Sequence, residues 1–594
     1  MGALYFIIYN NNNTNINLDF IDSFINIKSR GVDDSEFQTV SMTNLTTLNT
    51  HEMSQVYSVL SKNEIMTYIP YIFLYGYHRL AINDTCYNAS QPFQDPIQYK
   101  IRMYPELRSR PIRKLMCNGE IYNYNLLKSS NEFTDRDLAS ECDVEIIMPM
   151  YIKNLTDSDS NSKTSFINTL NELCGEFAII LSENTNTFDI EAVNIFAARD
   201  LLGIKPLYYI YGPDNFYMFV SELKGIPINI IKNTSYNIIQ VPPGSVWSFQ
   251  ENKNSTVPVF TEWMTLSSNI TITQTDPDTM NEIYNSIYTL LKKSIIDRYT
   301  TSQSMGILLS GGINSCIVAS ILVEHVMNTS NWETNPIIFF TIGDTFTSPD
   351  VEYSNEFVQF LEDKYSIDIE YHTILLEDYS IQQIDIDNII YRLETYDNKT
   401  IRDSIPYYYL FKYISEHTSV KVIFTGDGLN SLCGSSKFHD LDDATFQEMS
   451  VNLLKNIGNY EMLRNDRISG TFSLETRQPY LDIPFINYML SLHPKLKKAI
   501  THKIDSPPIE KYIIRKSIQV NNSNLLPDNI LWRNINPLSN NFNMNLYKFF
   551  DKSITDIELS LTNYKSKEHM YYSKVFNKHF PNRSYIIENY WDDL

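Results

Sequence analysis

Cysteine is scarce in this chain, and the little there is does not pair by spacing. Cys86, Cys117, Cys142, Cys174, Cys316 and Cys433 include no Cys-x-x-Cys, so zinc-ribbon and thioredoxin-type motifs are excluded and no disulfide framework is expected. Reduced thiols in a cytoplasmic protein are the expectation. Long apolar runs are missing as well. The longest, around residues 68–77, contains Pro70 and falls short of the ~20 residues that a membrane-crossing helix needs. The start lacks the basic residues and cleavage site of a signal peptide, and Phe6 stands where myristoylation at Gly2 would want Ser or Thr. Positive charge is short too: 48 Lys and Arg against 70 Asp and Glu leave a formal charge of −22. Such a surface repels nucleic-acid phosphates and anionic membranes, so neither is an expected partner. Asn-x-Ser/Thr triplets such as Asn44-Leu45-Thr46 arise by chance in an Asn-rich chain and do not argue for glycosylation.

At 43% hydrophobic and 13% aromatic, the 594 residues can bury large cores in several domains or in fewer, larger ones. The first half reads as β-rich. Residues 4–9 form a short apolar run, residues 177–181 and 195–198 look like paired strands, and the segment 116–122 reads as two strands with a turn at Asn118-Gly119. Residues 10–16 and 154–163 read as surface loops, and Pro242-Pro243-Gly244 as a turn. Residues 252–256 and 267–278 resemble a linker that ends in a helix-start signal, Asp276-Pro277-Asp278. Ile283, Ile287, Leu290, Leu291 and Ile295 then follow helical spacing. Strand-like runs at 306–309, 337–342 and 422–424 alternate with helix-like ones at 315–327 and 351–363, which predicts a parallel sheet with ligands at the carboxyl ends of its strands. Beyond about residue 445 the pattern is mostly helical.

The strand at 306–309 runs into Ser310-Gly311-Gly312-Ile313-Asn314-Ser315 and then into a helix. Glycines that admit close backbone approach, followed by a helix N-terminus with free N–H groups, make a phosphate cradle. The Gly-Lys-Ser/Thr ending of the Walker loop is absent. The segment instead looks like the Ser-Gly-Gly-x-Asp-Ser loop of ATP pyrophosphatases, with Asn314 in place of the Asp.

Several further segments carry a wider resemblance. In the second half they are Ser348-Pro349-Asp350, Glu394-Thr395-Tyr396-Asp397 with Thr400-Ile401-Arg402, Phe424-Thr425-Gly426-Asp427-Gly428, Leu474 to Asp482, Glu510-Lys511 with Arg515, and Leu531-Trp532-Arg533. In the first half they are His78 to Ile82, Asn118 to Asn123, Asp143-Val144-Glu145 and Ala198 to Tyr208. In this order and spacing the chain resembles the glutamine-dependent asparagine synthetase family over nearly its whole length. The resemblance implies mixed α/β and α+β architecture. A glutaminase-like four-layer sandwich of the N-terminal-nucleophile type would occupy about 1–265. An ATP-pyrophosphatase-like parallel-sheet domain with a helical C-terminal part would occupy about 275–594.

It also implies a reaction, the ATP-dependent amidation of aspartate through an aspartyl adenylate, with nitrogen from glutamine or ammonia. By resemblance, Asn118 and Gly119 belong to an oxyanion hole, and Arg79, Leu80, Ala81, Ile82, Asn83, Glu120 and Asp143 to glutamine. Leu309, Ser310, Gly311, Gly312, Ser315, Ile342, Thr425 and Gly426 belong to ATP, Glu394, Asp397 and Arg402 to the aspartate side, and Asp427 to adenylate formation. The implied cofactors are ATP and Mg²⁺, the implied partners are these small molecules, and a homodimer is left open. Glu475, Arg477 and Asp482 read better as a buried ion network than as catalytic groups.

Three departures count against full activity. The family's nucleophilic Cys would stand at position 2, where this chain has Gly2, so glutamine hydrolysis by the family route is expected to be absent. Its two metal-binding Asp positions are Asn314 and Asn430, neutral amides that hold Mg²⁺ less well than carboxylates do. Its phosphate-facing lysine is replaced by Ile535, and loss of one such group costs about 10²–10³ in rate. Asp427 itself is one methylene shorter than the family's Glu. Three readings stay open: a synthetase fed by free ammonia, a non-catalytic binder of glutamine, aspartate or nucleotide, and a structural remnant with an interaction surface.

Overall fold

The computed structural model of the chain describes residues 2–10, 17–41, 71–95, 111–134, 137–157, 161–184, 193–253, 255, 257–329, 332–333, 336–376, 385–434, 438–500, 508–533 and 564–587. The expected loop at 10–16, except Asn10, lies outside these residues, as does Ile535.

Among the described residues twelve strands come first: β1 (Gly2–Asn10), β2 (Asp34–Ser41), β3 (Tyr71–Arg79), β4 (Phe93–Gln94), β5 (Ile112–Ile121), β6 (Gly175–Asn184), β7 (Val193–Arg199), β8 (Tyr208–Gly212), β9 (Phe216–Val220), β10 (Asn237–Gln240), β11 (Ser245–Ser248) and β12 (Phe260–Glu262). They form two antiparallel six-stranded sheets, in the orders β10-β8-β9-β1-β3-β2 and β12-β11-β7-β6-β5-β4. The alternation along β1 shows how they stack. Leu4, Phe6 and Ile8 meet Met116, Ala178, Ile180 and Trp247 of the other sheet in one core, while Ala3, Tyr5 and Ile7 face Phe20 and Phe24 of the helix Asn17–Ile25 in another. The far face of the second sheet buries Leu115, Phe177 and Ile179 against Met150, Phe166 and Leu170, from helices Ile147–Asp157 and Ser162–Glu172. Helix, sheet, sheet and helix thus make the four layers, and the expected β6–β7 pair is present, with Leu181 opposite Phe196.

Two expectations fail here. Asn118-Gly119 is not a turn: β5 runs straight through it, pairing Asn118 with Ala178 and Gly119 with Phe177. The glycine is there for closeness, since a Cβ on Gly119 would lie 2.2 Å from the Glu176 carbonyl oxygen. Residues 154–163 are not one loop either. Asn154 to Asp157 finish one helix, and the Asn161 side chain accepts from the Thr164 N–H to cap the next.

The parallel sheet follows: β13 (Met305–Leu308), β14 (Ile337–Gly343), β15 (Tyr371–Leu375), β16 (Val422–Phe424) and β17 (Glu475–Arg477), in the order β15-β14-β13-β16-β17. Asp276 caps the helix Pro277–Asp297 by accepting from Thr279 N–H at 3.0 Å, as its sequence signal predicts. That helix and the helices Ile313–Asn328 and Pro349–Tyr365 cover one face of the sheet, through Ile287, Ile317 and Phe357. Leu308, Ile338 and Phe340 on the other face share a core with Ile401, Ile405 and Ile414 of the helix Asn398–His417 and with β1. The chain leaves central β13 toward β14 and returns at β16 on its other side. This is the switch point at which open α/β sheets form a ligand cleft.

Candidate functional site

The cleft opens at the carboxyl ends of β13 and β16. After Leu308 the chain turns through Gly311, whose φ of +61° is the left-handed conformation that glycine tolerates. A side chain there would also strike Tyr353 Cβ at 2.5 Å. Ser315 fastens the turn: its Oγ accepts from the Ser310 N–H at 3.2 Å and donates to the Gly312 carbonyl at 3.1 Å. The turn after β16 comes against this loop so closely that a Cβ on Gly426 would lie 2.8 Å from the Ser315 nitrogen. Asn314 ties the two loops, with Nδ2 donating to the Gly426 carbonyl at 3.2 Å.

The resulting cavity of about 310 Å³ is within the range of small-molecule sites. Leu309, Ser310, Gly312, Ser315, Ile342, Thr425 and Gly426 line it together with Asp427, Asn314 and Asn430. Gly311 supports the wall, its carbonyl accepting from Arg533 Nη1 at 3.1 Å. Sequence reading did not assign the rest of the lining to the site, namely Leu308, Ile313, Phe340, Asp350, Tyr407, Leu410, Lys511 and Arg533. Of these, Asp350, Lys511 and Arg533 lay in segments already singled out, whereas Tyr407 and Leu410 carried no signal beyond helical packing.

Asp427 is held rather than free. Arg464 Nη2 donates to its Oδ1 at 3.1 Å, Asn465 Nδ2 to its Oδ2 at 2.8 Å, and the Tyr407 hydroxyl to Oδ2 at 3.4 Å. The Arg464 guanidinium also lies 4.3 Å from the centre of the Tyr407 ring. Burial lifts the Asp350 carboxyl to about 6, against the pull of Arg533, whose Nη2 is 3.8 Å away. Burial likewise lowers the Lys511 ammonium to about 8. Its Nζ donates to Asn314 Oδ1 at 3.1 Å.

Glu394, Asp397 and Arg402 do not line this cavity. Glu394 is buried at φ +59°, accepts from the Lys224 N–H at 2.8 Å and pairs with Arg467 at 3.2 Å. Asp397 caps the helix Asn398–His417 by accepting from the Thr400 N–H at 2.8 Å. Arg402 pairs with Glu568, Nε to Oε1 at 2.7 Å.

A second, much smaller cavity of about 20 Å³ sits at the end of β3 and β5 and is lined by Arg79, Leu80, Ile82, Asn83, Gly119, Glu120 and Asp143. It has room for about one water. Asn83 Nδ2 donates to both Glu120 and Asp143, at 2.8 Å each. Burial raises both carboxyls, Glu120 strongly and against the pull of Arg477, Asp143 against its hydrogen bonds from the Ile121 N–H and Asn83. Arg79, in the wall of the cavity, donates to the Asp84 and Cys86 carbonyls. Ala81 accepts no role in the lining; its N–H donates to Asp33 at 2.8 Å. Asn118 Oδ1 accepts from the Gly2 N–H at 3.1 Å, and its Nδ2 is buried without a partner. Behind this cavity Arg477 bridges Glu475 at 2.8 Å and Glu120 at 3.3 Å, and Arg298 pairs with Asp482 at 3.0 Å, the buried ion network expected from sequence.

Models of two families match the chain. The glutamine amidotransferase domain covers residues 107–227, and asparagine synthase covers 286–444 and 441–585. The chain belongs to the asparagine synthase family. A probable glutamine-hydrolysing asparagine synthetase of Acanthamoeba polyphaga mimivirus is 29% identical over 565 residues, 91% of this chain and 90% of the relative. The glutamine-hydrolysing asparagine synthetase of Gallus gallus is 30% identical over 553 residues, covering 87% and 88%, and that of Homo sapiens is 28% identical over 550 residues, with the same coverage.

The Mg²⁺ implied by the family does not fit the donors in the larger cavity. The Asn314 amide oxygen already accepts from an ammonium, and Asn430 offers only a neutral amide. Asp427 is engaged by Arg464, and Asp350 stands beside Arg533. Among the described residues no group of three or more His, Cys, Asp or Glu is placed to hold a metal ion.

Proposed function

We propose that this protein is an asparagine synthetase homologue whose C-terminal half binds ATP and aspartate and makes asparagine slowly, from free ammonia, and whose N-terminal half releases none from glutamine. The observation that carries the reading is the larger cavity, which gathers the phosphate-cradle residues Ser310, Gly312 and Ser315 with Thr425, Gly426 and Asp427 at a strand switch point. In this reading the helix N-terminus after Gly312 and the Lys511 and Arg533 cations meet the phosphates. The aspartate carboxylate attacks the α-phosphorus, pyrophosphate leaves, and ammonia then displaces AMP. In the same reading Asp427, fixed by Arg464 and Asn465, is the oriented carboxylate that serves adenylate formation.

The small size of the other cavity and the crowding at Gly2 support an inert glutaminase half. The proposed division is a glutaminase-like unit at about 1–265 and a synthetase-like unit at about 275–594, in a cytoplasmic protein whose six cysteines are all unpaired. No helix among the described residues is long and apolar enough to cross a membrane.

The test is an assay of the full chain with ATP, Mg²⁺, aspartate and saturating ammonium, following asparagine and pyrophosphate. Slow product formation that Asp427→Ala abolishes is the expected result, and glutamine should yield no glutamate. A folded protein that makes no asparagine would favour the second reading, a non-catalytic binder, for which the Lys511–Asn314 contact already speaks.

A further inference from the structure

The family resemblance and the donor set disagree about the metal. A site built for a nucleotide bridged by a divalent cation presents anionic oxygens to that cation. In this cavity the residues at the two expected ligand positions are amides, and the oxygen of one of them, Asn314, is taken by the Lys511 ammonium at 3.1 Å. Lys511 is no surface lysine free to swing aside. It is 3% exposed and sits at φ +56° at the start of the helix Tyr512–Asn521, and its side chain reaches Asn314 from there.

A second cation is fixed beside it. The Arg533 guanidinium lies 3.6 Å from the centre of the Tyr353 ring and donates to the Gly311 carbonyl in the Ser310–Ser315 loop. Among the groups lining the cavity, the two carboxylates are both next to cations, Asp427 beside Arg464 and Asp350 beside Arg533. A divalent ion entering here would meet two resident cations, and each lining carboxylate already has a cation at 3.1 or 3.8 Å, so the ion would be opposed at short range in a partly desolvated site.

We infer that the cavity takes a nucleoside triphosphate as the free, metal-less anion, with the Lys511 ammonium on Asn314 and the Arg533 guanidinium as its counter-charges. This rests on the nucleotide reading of the same site. It deepens that reading by specifying the form of the ligand: the free triphosphate meets the two cations directly, whereas its magnesium complex would bring a divalent ion to amide donors and against those cations. One ammonium and one guanidinium then supply part of the neutralisation that a metal would give if positions 314 and 430 were Asp.

The experiment is calorimetric titration of the full chain with ATP, once in EDTA and once in excess MgCl₂ at matched ionic strength. The expected result is binding in EDTA at least as tight as in Mg²⁺. Lys511→Met should weaken the metal-free binding tenfold or more while leaving the thermal unfolding of the protein cooperative. Binding at least tenfold tighter with Mg²⁺ would overturn the inference and leave the nucleotide reading standing. No binding in either buffer would overturn both. An Asn314→Asp/Asn430→Asp double variant gives an independent check should Lys511→Met fail to fold. With carboxylates restored at both positions, the preference should shift toward Mg²⁺ by tenfold or more, and an unchanged preference would count against the inference.

Discussion

An added Cβ at Gly2 would lie 2.2 Å from the His78 carbonyl oxygen and 2.6 Å from the Tyr77 hydroxyl, which itself donates to the Cys117 carbonyl at 2.9 Å. The backbone of β1 has therefore settled against β3 more closely than any residue with a side chain would permit. Restoring the family's thiol by Gly2→Cys is expected to destabilise the fold by about 1–3 kcal/mol, the usual cost of overpacking, and to leave glutaminase activity absent. Gly2→Ala separates the two effects, because it adds the same Cβ without a nucleophile. Denaturant midpoints for both variants should fall together, and an Ala variant as stable as the parent would refute the packing argument. The residue scale also explains why the metal question was half legible. That Asn314 and Asn430 are not carboxylates is plain from sequence, but the partner that takes the Asn314 oxygen, Lys511, is almost 200 positions away and only the fold brings it there.

Elements were legible where their burial is uniform. β13, β14 and β16 are runs of apolar residues between helix-like segments, and sequence periodicity locates them to within a residue or so. β17, with the sequence Glu475-Thr476-Arg477, was not legible, because its charges are buried against each other, Glu120 in another sheet and the Arg298 and Thr300 carbonyls, partners that only the fold brings together. Tyr371 to Leu375 is an edge strand with half-exposed polar positions and has no clean alternation either. Asn118-Gly119 misled in the opposite sense, since a glycine required by strand proximity has the same letter as one required by a turn.

One imidazole ties the helix Asn17–Ile25 to β3. His78 stacks on Phe24, with ring centroids 3.7 Å apart, and its Nε2–H donates to the Phe24 carbonyl at 2.8 Å while Nδ1 accepts from the Ser35 hydroxyl. Burial lowers this imidazole to about 4 despite the hydrogen bond to Phe24. The unfolded chain then takes up the proton first, so the contribution of neutral His78 is complete above about pH 6.5 and is lost as the pH falls from there toward 4. Urea melts at pH 7.5 and 4.5 should differ by up to about 3 kcal/mol from this group, and His78→Gln should remove most of that difference. An unaltered pH dependence in the variant would rule out this assignment.

Across the whole molecule, one of the contacts that join the two halves is an ion cluster sealed from water. Arg30, from the segment after the first helix, donates from Nη1 to Glu222 at 2.9 Å and from both terminal nitrogens to Asp466, at 2.7 and 2.8 Å, while its Nε donates to the Gly2 carbonyl at 3.1 Å. Burial alone would raise Glu222, yet Lys224, Arg30 and Arg467 hold it down to about 2. Arg467 carries the cluster on to Glu394, which also accepts from the Lys224 N–H of the other half. A cluster of this kind contributes little net stability when intact, but removing one member leaves charges buried without compensation, at about 3–5 kcal/mol. Arg30→Met and Asp466→Leu should each lower the denaturation midpoint by an amount in that range. The double variant, with both charges gone, should recover part of the loss, giving a coupling energy of about 2 kcal/mol in the cycle. If the cluster is what couples the halves, each single variant should also split the unfolding curve into two steps, with tyrosine and tryptophan fluorescence and far-UV dichroism no longer coincident. Additive losses with a single coincident transition would show instead that the halves are held by the shared core of β1, Leu308, Ile338 and Phe340, and that the ions only fix their register.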